Sequence, residues 1–114
     1  MGRWITAENR KKPALVARLS KMIETTPLEG YAGWCQCIHG LNVTDRLKGI
    51  NLPTRVIVGK EDPATPVAAA ETIHREIKGS DLVIIPNTSH MLCAEDPAAF
   101  HKPVLEFLAK HPAK

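Results

Sequence analysis

No apolar run in this 114-residue chain approaches the length of a membrane span, and the opening stretch, MGRWITAENRKK, holds no apolar core of the kind a signal peptide needs. Aromatic residues are scarce at 4%, the net charge is only +3, and the densest basic cluster is Arg10, Lys11 and Lys12. A nucleic-acid surface would want a stripe of Lys and Arg with interleaved aromatics, so none is expected, and the cluster reads as a solvated face ahead of a helix. Three cysteines, an odd number, argue against a disulfide framework and for reduced thiols. The expectation from these absences is a cytoplasmic protein without membrane or nucleic-acid partners. What is present, 44% hydrophobic and 24% charged residues, is the composition of a globular domain.

Leu15, Val16, Leu19, Met22 and Ile23 recur at helical spacing, which predicts a helix over 13–26 with Pro13 in its first turn. A second helix is expected over 27–42, where Gly30 and Gly33 beside Tyr31 and Trp34 suggest close approach to another element. Thr44 is expected to cap a short turn bearing Leu47 and Ile50. The pattern then changes. The run 54–58 is β-branched, with Pro53 ahead and Gly59 behind, and reads as a strand buried on both sides. Thr65 and Pro66 open a helix with Val67, Ala70, Ile73 and Ile77 inward, ending at Gly79, and 81–85 is a second strand. Strand, helix and strand in about 30 residues make a parallel crossover unit. Asp96 and Pro97 then open a last helix, in which Pro103 should produce a kink or a break. The fold class is α/β, with a helical segment over 1–50 and a β-α-β-α unit with two parallel strands over 51–114.

Asp62 and His90 each follow the carboxyl end of a predicted strand, the edge where ligands collect in open parallel sheets. Neighbouring strands lie about 4.8 Å apart, so loops leaving the same edge can bring a carboxylate to an imidazole nitrogen. Such a carboxylate orients the ring and steadies the imidazolium formed when His accepts a proton. Read singly, Asp62 is a turn residue and His90 a loop histidine. Ser89 is a poor nucleophile candidate, because adjacent residues of an extended loop point apart and no oxyanion amides accompany it. Cys35, Cys37 and His39 would share a face on a strand, but on the expected helix Cys37 points away, and no metal site is expected.

The patterns GKEDPATP, with Gly59, Asp62 and Pro66, and SHMLCAEDPAAF, with His90, Glu95, Pro97 and Phe100, resemble the acid and histidine loops in the C-terminal part of the α/β-hydrolase family. Upstream, RWITAENRKKPALVARLSKMIETTPLEGYAG resembles the lid helices of 3-oxoadipate enol-lactonases, which open an enol-lactone ring with water in aromatic degradation. The resemblance implies an incomplete α/β-hydrolase, lid-like over 1–50 and core-like over 51–114. It implies serine-type ester or lactone hydrolysis in which Asp62 and His90 are the acid and base of the triad, with Trp34 as a candidate substrate-binding wall and no cofactor. The family order is Ser, acid, His with the serine in G-x-S-x-G, a motif that does not occur here. The nucleophile is therefore expected outside these residues, the chain alone is expected to be inactive, and its partner would be a small lactone or ester once an N-terminal part is supplied. Two alternatives stand beside this: an assembly or binding module that self-associates or takes a partner chain through an exposed sheet edge, and a gene fragment without independent function.

Overall fold

The computed structural model describes residues 1–112, so the last two positions of the 51–114 unit lie outside it. Its centre is a parallel pair: β1 (Arg55–Gly59) runs beside β2 (Asp81–Ile85), in register from Arg55 opposite Asp81 to Gly59 opposite Ile85. Both strands are rich in β-branched residues, which pack well on a pleated surface. The crossover is α4 (Val67–Glu76), which contacts both strands and buries Ala70, with Ile77 buried just beyond it. Alternation puts Arg55, Ile57 and Gly59 on one face with Asp81, Val83 and Ile85.

That face meets α6 (Pro97–Lys110) through Arg55. The guanidinium forks Asp81, with Nε 2.8 Å from Oδ1 and a terminal nitrogen 2.7 Å from Oδ2, and its other terminal N–H donates to the Pro103 carbonyl at 2.6 Å. Its Cζ also lies over the Phe107 ring, 5.4 Å from the ring centre. Of the kink or break expected at Pro103, the break does not occur, and α6 continues through it. An interior proline costs roughly 3 kcal/mol of helix stability. Here its ring is buried and its carbonyl is bound by Arg55, and this packing offsets the lost helical hydrogen bond. The N-terminal end is capped as the sequence suggests, with Asp96 Oδ1 accepting from the Ala99 N–H at 2.9 Å.

Upstream lie α1 (Pro13–Glu24), α2 (Leu28–His39) and the short α3 (Thr44–Leu47). Thr44 is the first residue of α3 rather than its cap, and Asn42 Oδ1 accepts the Thr44 N–H at 3.2 Å. Leu19 anchors α1, whereas α2 buries nothing and exposes Leu28, Tyr31, Trp34 and Ile38. The close approach expected at Gly30 and Gly33 does not occur, because a side-chain carbon at either would meet nothing within 4 Å. β1 likewise departs from the expected two-sided burial. Arg55, Val56 and Ile57 are half-buried and only Val58 and Gly59 are buried, since β2 is the one strand that pairs with β1 among the described residues. Ile73, expected inward, is exposed, and the chain reverses after α4 through Gly79 at φ 80. Among the described residues no helix is long and apolar enough to cross a membrane.

Gly59 ends β1 directly beneath the loop that follows β2. A Cβ placed there would fall 2.7 Å from the Thr88 carbonyl oxygen and closer still to that of Ser89. Both neighbours are backbone and cannot swing aside. Gly59→Ala should therefore destabilise the fold by about 1–3 kcal/mol, the usual cost of overpacking. Urea denaturation measures this, and an unchanged midpoint would show that the loop yields freely.

Candidate active site

The two strands end at the same edge, and their loops are stitched together before any side chain is considered. The Lys60 N–H donates to the Ile85 carbonyl and the Glu61 N–H to the Thr88 carbonyl, each at 2.9 Å. The acid loop then turns back on itself, with the Asp62 N–H donating to the Gly59 carbonyl at 3.3 Å. Asp62 Oδ1 accepts from the N–H groups of Ala64 at 2.8 Å and Thr65 at 3.0 Å. Its Oδ2 accepts from the Thr65 hydroxyl at 2.7 Å and from His90 Nδ1 at 3.0 Å. Thr65, expected as a helix start, serves the carboxylate instead, and α4 begins at Val67 without a side-chain cap.

The pair is asymmetric in a chemically useful way. The Asp62 side chain is 2% exposed and that of His90 is 39% exposed. A carboxylate facing Nδ1 makes that nitrogen the donor, which leaves Nε2 as the basic nitrogen. Burial by itself pushes the Asp62 carboxyl up. The N–H and hydroxyl of Thr65, the His90 ring and the Ala64 N–H outweigh it and hold the group below the ordinary carboxylate range.

The histidine loop is fastened at both ends. Asn87 takes a left-handed backbone at φ 57, a conformation that Asn tolerates better than most residues, and the Thr88 hydroxyl donates to the Ile85 carbonyl at 2.9 Å. Beyond His90 comes the short α5 (Leu92–Glu95), which the sequence reading did not anticipate. Its last residue, Glu95, is buried and accepts from the Ser89 N–H through Oε2. Through Oε1 it accepts from the Thr6 N–H at 2.7 Å and from Asn9 Nδ2 at 2.9 Å. The Met91 N–H donates to the Trp4 carbonyl at 2.8 Å, so the N-terminal strap is tied to the same loop. Nothing in the opening stretch signalled this role, because Thr6 and Asn9 are ordinary polar residues until Glu95 meets them.

The remaining candidates lie elsewhere. Trp34 is exposed on α2 and lines a shallow cavity of about 290 Å³ with Gly30, Gly33 and Cys37, which includes neither Asp62 nor His90. Ser89 is buried, with its N–H held by Glu95. Cys35 and Cys37 are exposed free thiols on a helix, and among the described residues no cluster could hold a metal ion.

Because the folded carboxyl of Asp62 titrates lower than the unfolded one, its contribution to stability is complete above the ordinary carboxylate range. That contribution is lost as pH falls from the unfolded pKa through the lower folded value. Urea midpoints followed with pH should thus fall more steeply on acidification for the parent than for Asp62→Asn. Parallel curves would mean that the carboxylate is not stabilised by the fold.

Known proteins resemble this chain in sequence and in fold. Residues 28–113 match the family model described as TAP-like protein. The chain is 33% identical over 103 residues to 3-oxoadipate enol-lactonase 2 of Acinetobacter baylyi, covering 90% of this chain and 38% of that protein. A proline iminopeptidase of Saccharolobus solfataricus is 43% identical over 71 residues, 62% of this chain and 23% of that protein. Among solved structures, the enol-lactonase from Burkholderia xenovorans superposes with a TM-score of 0.89 at 31% identity, over 94% of this chain and 41% of that one. A thermophilic esterase from Thermogutta terrifontis gives 0.88 at 29% identity, over 95% of this chain and 40% of that one. The chain thus spans about two-fifths of the enol-lactonases it matches. It belongs to the TAP-like family and is the C-terminal portion of an α/β-hydrolase.

Proposed function

We propose that the chain supplies the acid and base of a serine-type carboxylic ester or lactone hydrolase whose nucleophile lies outside these 114 residues. The observation that carries this is the hydrogen bond of 3.0 Å between the buried Asp62 carboxylate and a half-exposed His90 ring. In this reading His90 Nε2 takes the proton of an incoming hydroxyl, and the imidazolium so formed is steadied by Asp62 at Nδ1. His90 then returns the proton to the leaving alkoxide and repeats the cycle with water. The helical part over 1–50 acts as the lid, with Trp34 as one wall, and the similarity to enol-lactonases favours a small lactone as substrate.

No G-x-S-x-G elbow occurs in these 114 residues to supply the nucleophile, so the isolated chain is expected to leave an enol-lactone or p-nitrophenyl ester at its background rate. Joined to an N-terminal α/β-hydrolase portion bearing a nucleophile elbow, it should turn the ester over. His90→Ala should abolish that turnover and Asp62→Asn should lower kcat by about 10⁴-fold. Turnover by the isolated chain that disappears in His90→Ala would sink the requirement for an outside nucleophile.

A second reading, an assembly module, is favoured by one observation, the exposure of Leu28, Tyr31, Trp34 and Ile38 along a helix that buries nothing. It predicts dimers or larger species in light scattering. A compact monomer at high concentration would count against it.

A further inference from the structure

We propose that Glu95 is the positioning residue of His90, a role that rests on the reading of Asp62 and His90 as the acid and base. The segment carrying His90 is closed into a ring by one side chain, because Glu95 Oε2 accepts from the Ser89 N–H immediately before the histidine. The backbone closes the other end, where the Glu95 N–H donates to the Met91 carbonyl at 3.0 Å. His90 sits between the two fastenings. Its ring is exposed on one side and meets Asp62 and Thr65 on the other, so the direction of Nδ1 follows from the placement of the backbone beneath it.

Glu95 is buried together with every group that donates to it, namely Thr6, Asn9 and Ser89. Its two oxygens face three N–H donors, and among the described residues no cation pairs with it. A carboxylate is matched to such a set because it accepts at both oxygens and donates at neither. Glutamine has the same shape but turns an amide N–H towards one of the donors. The substitution therefore breaks either the Ser89 fastening or the link to Thr6 and Asn9, and leaves a buried N–H without a partner. The second link also ties the histidine loop to the strap that leads into α1, through Thr6, Asn9 and the bond from Met91 to the Trp4 carbonyl. Displacement of that strap would reach His90 through Glu95 without passing through Asp62.

The imidazole 15N shifts of His90 in the 114-residue chain, recorded where the ring is neutral, test this because they report which ring nitrogen carries the proton. The parent should show the Nδ1–H form selected by Asp62. Glu95→Gln should shift the ring towards the mixture of a free imidazole, and Asn9→Ala, which removes one donor and keeps the carboxylate, should give a smaller change in the same direction. In the hydrolase completed with an N-terminal portion, Glu95→Gln should lower kcat by about 10- to 100-fold with little change in KM, as expected of a misplaced catalytic group. A purely structural role would leave the ring tautomer of the folded variants untouched. An unchanged tautomer in folded Glu95→Gln, or in Asn9→Ala should the first variant fail to fold, would overturn the proposal. If the shifts move as expected while the completed protein hydrolyses no ester, the positioning role stands and the hydrolase reading fails.

Discussion

At the carboxyl edge of the sheet the backbone of Thr88 and Ser89 lies directly over Gly59, where a side chain of any size would intrude. That approach allows the Glu61 N–H to reach the Thr88 carbonyl, and through this bond the acid loop and the histidine loop share one frame. The parallel register brings both strand ends to the same level, Gly59 opposite Ile85. With a larger residue at 59, Asp62 and His90 would still leave neighbouring strands, but the loops carrying them would be held apart.

Within that frame the polar groups are matched by number and type. Asp62 accepts four hydrogen bonds and Glu95 three, and among the described residues no buried side-chain nitrogen or oxygen lacks a partner. For Asp62 these bonds outweigh the burial that would otherwise favour the neutral acid, and its charge faces the imidazole. Burial divides the pair in a way that suits the proposed chemistry: Asp62, proposed to orient, is enclosed, and His90, proposed to exchange protons, is open on one side.

The helical half is held differently. α1 is anchored by Leu19, and the strap before it is joined to the histidine loop through Trp4, Thr6 and Asn9, but α2 has no buried residue. Elements with few buried contacts open at low free-energy cost, which suits the lid proposed for this segment. Arg55 shows the opposite condition, gathering Asp81, the Pro103 carbonyl and the Phe107 ring into a single junction of sheet and helix.

Asp62 and His90 were legible as strand-end residues because turn residues follow two β-branched runs, and their reading as an acid–base pair came from the resemblance of GKEDPATP and SHMLCAEDPAAF to α/β-hydrolase loops. The second strand and the cap at Asp96 were legible for local reasons, a β-branched run and a side-chain acceptor. Glu95 was legible only as part of the histidine-loop pattern and its role was not, since its partners Thr6 and Asn9 lie 89 and 86 positions away and no local pattern encodes which distant N–H meets a carboxylate. The continuation of α6 through Pro103 and the diversion of Thr65 from helix cap to Asp62 depend in the same way on what packs against them. Most of the elements could be read from the chain alone, because periodicity and turn preference act over a few residues, and the resemblance of the two loops implied the chemistry of Asp62 and His90. How the histidine loop is fastened is set by the fold, because Glu95 meets Thr6 and Asn9 from the far end of the chain.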